Sequence, residues 1–227
     1  MINFFRKIRK KMADDNKPMK YMRYAIGEIV LVVIGILIAI QINNWNESRK
    51  HVESEIEFIS GVKNDLKQDK DYIESVIEFG HTKVNTYNIL SQELPNLKDT
   101  NKKKLDSLHQ IYFVGQRTFY PISGAYESAI AGNKINNFKN KKAIETIIKL
   151  YNSTYDRLID NGKILDGRWE FISKKYSYVR RPGEFSEMTS SEVSEFLNDL
   201  YYHIVQQKWY IDSLNQALLE INAILEE

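Results

Sequence analysis

Ala25-Ile-Gly-Glu-Ile-Val-Leu-Val-Val-Ile-Gly-Ile-Leu-Ile-Ala-Ile-Gln-Ile42 decides how the rest of this chain is read. Fourteen of these 18 residues are Ala, Val, Ile or Leu, two are Gly, and only Glu28 and Gln41 are strongly polar. Extended to its aromatic flanks, Tyr24 to Trp45, the stretch has 22 residues. As an α-helix rising about 1.5 Å per residue it reaches roughly 33 Å, enough for a hydrocarbon core of about 30 Å. A buried core helix seldom carries Val and Ile on every face as this one does, and this one follows a dense basic segment. The stretch therefore predicts a transmembrane helix, with Tyr21, Tyr24 and Trp45 at its interfacial ends.

Charge on either side gives the expected orientation. Residues 1–23 carry eight Lys or Arg against Asp14 and Asp15, a net of +6. Residues 47–227 carry 24 positive and 27 negative side chains, a net of −3. The positive-inside bias predicts a cytoplasmic N-terminus and an exported C-terminal part. No small-x-small cleavage site follows the span, since Gln41, Ile42, Asn43, Asn44 and Trp45 come next, so an uncleaved signal anchor is expected. Phe4, Phe5, Ile8 and Met12 would share one side of an interfacial helix on the inner leaflet, its basic residues serving first as a topology signal. Glu28 lies in the first turn of the span, where headgroups, the helix dipole and Arg23 or Lys20 reduce its cost. Gly35 and Ala39 form a small-xxx-small pair that would let two such helices approach.

These residues also carry a resemblance. Phe4-Phe-Arg-Lys-Ile-Arg9 and Tyr24 to Glu47, together with the block from Gly124 to Lys142 and the helix ending Leu150-Tyr151-Asn152, closely resemble the uncharacterised membrane family known as domain of unknown function 6090, from Gram-negative bacteria. The resemblance implies an inner-membrane, single-pass protein with a helical periplasmic domain, and brings no catalytic or binding residues with it. Ala131-Gly132 stands where that family usually has Ser-Gly.

Pro95, Pro121 and Pro182 divide the exported part into 46–94, 96–120, 122–181 and 183–227, each of helical pattern. In the first, Val52, Ile56, Ile59, Leu66, Ile73, Ile77, Val84, Tyr87 and Leu94, with Val62 and Val76 between, recur at helical spacing, so the transmembrane helix is expected to run on, with Gly61 and Gly80 as weak points. A short helix from Lys102 to Phe113 and an irregular Gly115 to Ser123 should follow. A helix Gly124 to Ala131 then stops at Gly132-Asn133, both suited to a left-handed turn, and Asn140 caps a longer helix through Ile144, Ile147, Ile148, Tyr151 and Tyr155. Arg180-Arg181-Pro182-Gly183 closes that helix, and Thr189-Ser-Ser-Glu192 is a capping box opening the last. The last helix has Val193, Phe196, Leu197, Leu200, Ile204, Ile211, Leu214, Leu218, Ile221 and Leu225 on its apolar face. The expected fold is all-α: a basic cytoplasmic tail (1–23), one transmembrane helix (24–45), and an extracytoplasmic antiparallel helical bundle (46–227).

Candidate sites are few. Glu78-x-x-His81 and Asp106-x-x-His109 have the i,i+3 spacing of di-iron bundles, but one pair has Asp instead of Glu and no inward Glu on other helices stands out. Surface helix positions are the simpler reading, and His51 and His203 lack even this support. No metal or cofactor residue is assigned. Zero Cys removes disulfides, thiolate metal sites and thiol nucleophiles. No G-x-S-x-G or Gly-rich phosphate loop is present, so no catalytic residue is assigned and no enzyme is expected. Lys102 to Lys104 and Lys139 to Lys142 read as solvated faces and nucleic acid is not an expected partner. The aromatic cluster Tyr201, Tyr202, Trp209 and Tyr210 reads first as seam packing, and as partner binding if it gathers on one surface. The expected role is a membrane-anchored periplasmic module, held by the lipid bilayer, that binds a protein partner or self-associates; the alternative is an extracytoplasmic sensory bundle acting through a membrane partner.

Overall fold

The computed structural model describes residues 18–177 and 188–226. All its regular elements there are helical, with no strand among the described residues. They are α1 (Pro18–Glu93), α2 (Asp99–Tyr112), α3 (Gly124–Ala131), α4 (Lys141–Lys149), a π-helical turn (Leu150–Tyr155), α5 (Asp156–Lys175) and α6 (Ser190–Glu226), with 3-10 turns at Leu94–Asn96 and Ile135–Asn137. The expected interfacial helix of Phe4 to Met12 and the stop at Arg180 to Gly183 lie outside the described residues.

Two compact units divide at Ser54 and Glu55. In the first, the apolar part of α1 has its side chains exposed throughout, from Ile26 (55%) through Leu31 (73%) to Trp45 (69%). This is the one helix among the described residues long and apolar enough to cross a membrane.

In the second unit the chain makes four passes. Lys63 Nζ donates to Leu225 O (3.3 Å), Lys70 Nζ to Asn222 Oδ1 (2.8 Å), and the Tyr87 ring lies 6.2 Å from Tyr201, so α6 descends as α1 climbs. Thr154 to Glu220 (2.8 Å), Trp169 to His203 (5.8 Å between rings) and Lys175 to Asp199 (2.7 Å) show that the π turn and α5 run antiparallel to α6 as well. Passes one and three are therefore parallel, with Asp69 bonded to Tyr155 and Lys83 over Trp169.

The second pass corrects the sequence reading. Pro121 does not end it. From α2 the chain continues in one direction along α1: Lys83 bonds to Tyr112 O, Tyr72 to Thr118 O, and Asp69 accepts from Ile122 N–H. Further down, Asp65 accepts from Ala125 N–H (3.1 Å), and Glu55 accepts from the N–H groups of Lys139 and Asn140 (2.8 Å each). The reversal comes only at the 3-10 turn and Asn140, whose side chain accepts from Ala143 N–H as an N-cap. The middle of this pass, residues 113–123, is non-helical, and buried non-helical backbone needs partners from elsewhere. Asp69 supplies one at Ile122 N–H, the Tyr210 hydroxyl another at Phe119 N–H, and Tyr72 donates to Thr118 O, while Asp65 and Glu55 serve the start of α3 and the turn before α4. Glu55 (8% exposed) and Asp69 (1%) are inward acidic residues that the sequence reading did not single out.

Core positions follow a heptad. On α1 the inward residues include Val62, Leu66, Asp69, Ile73, Val76, Gly80, Lys83 and Leu90, continued by Leu94 in the 3-10 turn; on α6 they run Phe196, Leu200, His203, Gln207, Tyr210, Leu214, Ala217, Ile221 and Ile224. Alternating steps of three and four are the seam of a left-handed bundle. Ile56, expected in the stripe, is 63% exposed. Gly61 and Gly80 are close approaches, not weak points: a Cβ on Gly61 would lie 3.0 Å from Ala125 Cβ, and one on Gly80 would lie 2.7 Å from Gln207 Nε2. Of Gly132-Asn133, only Asn133 takes the left-handed conformation (φ +50°). Between α4 and α5 the π turn adds an unforeseen feature, since its wider winding sets Leu150 and Tyr151, neighbours in sequence, both in the core. The capping box is present, with Glu192 accepting from Thr189 N–H (2.7 Å) and Glu192 N–H donating to Thr189 Oγ1 (3.3 Å).

Candidate functional site

Two apolar clusters fill the bundle, one lower (Phe58 to Val76 of α1 with Tyr151, Leu165 and Leu214) and one upper (Val84 to Leu94 with Tyr112, Ile172 and Leu200). Between them lies a polar layer to which every pass contributes. Its centre is Lys83, 1% exposed. The ammonium stands 3.5 Å from the centre of the Trp169 ring, 5.1 Å from Tyr112 and 5.4 Å from Phe79, and donates to the Tyr112 carbonyl (3.0 Å). Aromatic faces attract a cation, but burial opposes charge more strongly and pushes Lys83 from its usual 10.5 down to about 6.

His203, fully buried on α6, has Nδ1 2.8 Å from the Tyr112 hydroxyl. Desolvation first, then the charges of Lys83 and Arg168, hold its imidazole down to about 3, so it is neutral at any physiological pH. One turn on, Gln207 Oε1 accepts from Gln116 Nε2 (3.0 Å), and Gly80 gives the Gln207 amide room against α1. Among the described residues His203 Nε2 and Gln207 Nε2 meet no hydrogen-bond partner. Each such buried group costs about 1–3 kcal/mol, so the layer lowers stability where an apolar layer would raise it. Sites that violate packing logic in this way are functional candidates.

A second feature lies on the outer seam of α5 and α6. Arg168 stacks on Tyr202 (4.2 Å) and Lys175 pairs with Asp199, and this register puts Phe171 beside Tyr202 and Ile164 level with Trp209. All four apolar side chains are exposed: Ile164 58%, Phe171 49%, Tyr202 53% and Trp209 69%. A groove of about 320 Å³ continues the seam, lined by Thr154, Arg157, Asn161, Ser213, Gln216 and Glu220.

The sequence candidates fare differently. Glu78 and His81 are exposed on α1, as surface positions should be. His109 is not a surface residue: it is 2% exposed and stacks on Phe113 at 4.5 Å. No three His, Asp or Glu among the described residues are placed to hold a metal ion. Of the aromatic cluster, Tyr210 is core, its hydroxyl accepting from Phe119 N–H (2.8 Å), whereas Tyr201, Tyr202 and Trp209 face outward. Lys83 and His203 were missed. The available signal was position, for both fall on the heptad that otherwise carries Val, Leu and Ile.

A model of a protein family of unknown function, DUF6090, matches residues 28–198. The chain belongs to the DUF6090 family. No curated protein and no solved structure matches it. The region shared with DUF6090 takes in Lys83, Tyr112 and Trp169 and ends before Tyr202, His203 and Trp209. In this DUF6090 chain, then, the polar layer and the exposed seam each join shared α1–α5 residues to α6 residues beyond the match.

Proposed function

We propose that this protein is a membrane-anchored helical module that acts by binding protein, with no chemistry of its own. In this reading the apolar part of α1 crosses the inner membrane, residues 1–23 stay in the cytoplasm and residues 46–227 stand in the periplasm. The observation that carries it is the α5–α6 seam, where two aromatic side chains of α6 and Phe171 and Ile164 of α5 face outward. Aromatic residues around an Arg are the composition of binding hot spots, and contiguous apolar patches of this kind mark interaction sites on soluble domains. A photoactivatable amino acid in place of Trp209, irradiated in cells expressing the full chain, should yield a covalent adduct with a polypeptide. Irradiation that yields none from position 209 or 202 removes the reading. A reporter fused after Glu227 that is active only in the cytoplasm removes the orientation.

A sensory role has one observation in its favour, the polar layer. Among the described residues Lys83 has no carboxylate partner and lies beside unpartnered His203 and Gln207 nitrogens, so it is held at a cost to stability. Ligand screening by thermal shift tests it, since a specific small ligand of the folded bundle raises its melting temperature.

A further inference from the structure

We infer that the α5–α6 seam is where two copies of this chain meet. The inference rests on the protein-binding reading and names the partner of that same surface. Three features point to a second copy.

The first is area. Each aromatic side chain offers about 150–250 Å², so Phe171, Tyr202 and Trp209, with the smaller Ile164, exposed by half to two-thirds, present on the order of 400–500 Å². Two copies face to face bury up to about 1,000 Å², the lower limit for a specific interface. That is too little for a tight complex in free solution. It suffices for chains that an anchor confines to one membrane, where the effective concentration is high.

Charge is the second. The ion pairs bordering the stripe, Lys163 with Asp160 (3.0 Å) and Lys174 with Glu170 (2.5 Å), each close within α5. Arg168 lies over the Tyr202 ring and within electrostatic reach of the Asp199 carboxylate. The borders thus leave no field of one sign that calls for an oppositely charged partner, and a near-neutral surface can meet its own copy without repulsion.

The third is shape. The seam carries both a projection, Trp209, and on the next turns a groove of about 320 Å³ lined by Asn161, Ser213 and Gln216. A two-fold interface uses one patch on both partners, so it requires projections and hollows on the same surface.

The absence of native cysteine makes the test direct. Full-length chains carrying Trp209→Cys or Tyr202→Cys are oxidised in native membranes, beside Glu74→Cys on the exposed face of α1. The expected result is a disulfide-linked dimer from positions 209 and 202, at least tenfold more than from position 74. Adding Trp209→Glu to the Tyr202→Cys chain should abolish the cross-link while leaving the melting temperature unchanged, because residue 209 stands outside the core. Equal cross-linking at all three positions reports collision alone and overturns the inference. Photo-adducts at position 209 to a different polypeptide, with no self-adduct, overturn the second copy and keep the protein-binding reading. No protein adduct of any kind overturns both.

Discussion

Lys83 occupies the heptad register of Val62, Asp69, Val76 and Leu90, and its ionisation sets a sign for its energetics. A lysine whose folded pKa is pushed down to about 6 favours folding only when neutral. Its contribution is complete above the usual 10.5 and is lost as pH falls towards 6. Near pH 7 the native state must therefore hold an amine that water would charge. Lys83→Met keeps the volume, gives up one hydrogen bond, and should stabilise the fold by about 2 kcal/mol at pH 7. The gain should shrink as pH rises to 10, as read from urea midpoints. A Lys83→Met chain that is less stable at every pH would show that the Trp169 and Tyr112 faces hold the charged form. Asp69 has the opposite sign. Burial, outweighing its bonds from Ile122 N–H and Tyr155, pushes its carboxyl up to about 6. Its contribution is full below the ordinary 3.8 and lost as pH rises through 6. Asp69→Asn keeps an acceptor for Ile122 and carries no charge, so its stability relative to the native chain should improve by about 2–3 kcal/mol between pH 4 and pH 7. Parallel pH profiles for the two chains would contradict this. Neither residue stood out in the sequence, because Lys and Asp in a helix read as solvated; only their place in the register marks them as inward.

At the scale of elements, sequence legibility depended on whether the cause was local. The bounds of α3, the Asn140 cap and the Thr189 box are set by residues within one turn and were readable. The course of the second pass was not. Pro121 has the usual signature of a reversal, but here the chain runs straight past it because two carboxylates more than fifty residues away hold it: Asp69 accepts the non-helical Ile122 N–H and Asp65 the open Ala125 N–H at the start of α3. Glycines divide along the same line. Gly80 and Gly167 look alike as interior helix glycines. A Cβ on Gly167 meets nothing within 4 Å, so Gly167→Ala should stabilise by about 0.5–1 kcal/mol through helix propensity. On Gly80 the added carbon would lie 2.9 Å from Ile211 Cδ1 and closer still to the Gln207 amide, so Gly80→Ala should destabilise by about 1–3 kcal/mol despite the same propensity. Thermal melts of the two variants with opposite shifts would establish that tertiary approach decides; shifts of the same sign would refute it.

At the scale of the molecule, the two units differ in what holds them. Every residue of both apolar clusters comes from Phe58 onward, and the first unit adds none. Residues 55–227 therefore carry a complete core, as a unit of about 170 residues can. The all-helical class and the long apolar helix were legible in the sequence because hydrophobic period and run length are local signals. Which surface remains unpaired was not, since exposure of Trp209 and Phe171 depends on how α5 and α6 rotate about their seam. A chain of residues 55–227 alone should be water-soluble, strongly helical by circular dichroism and cooperative in urea. Without the anchor, an interface of up to about 1,000 Å² loses its confinement, so the same chain should sediment as a monomer at micromolar concentration while the full chain cross-links in membranes. A fragment that aggregates, or melts without a cooperative transition, would mean that the first 54 residues supply folding information that their exposed side chains do not suggest. A fragment that is dimeric at micromolar concentration would mean that more of α5 and α6 is buried between copies than the four exposed apolar side chains account for.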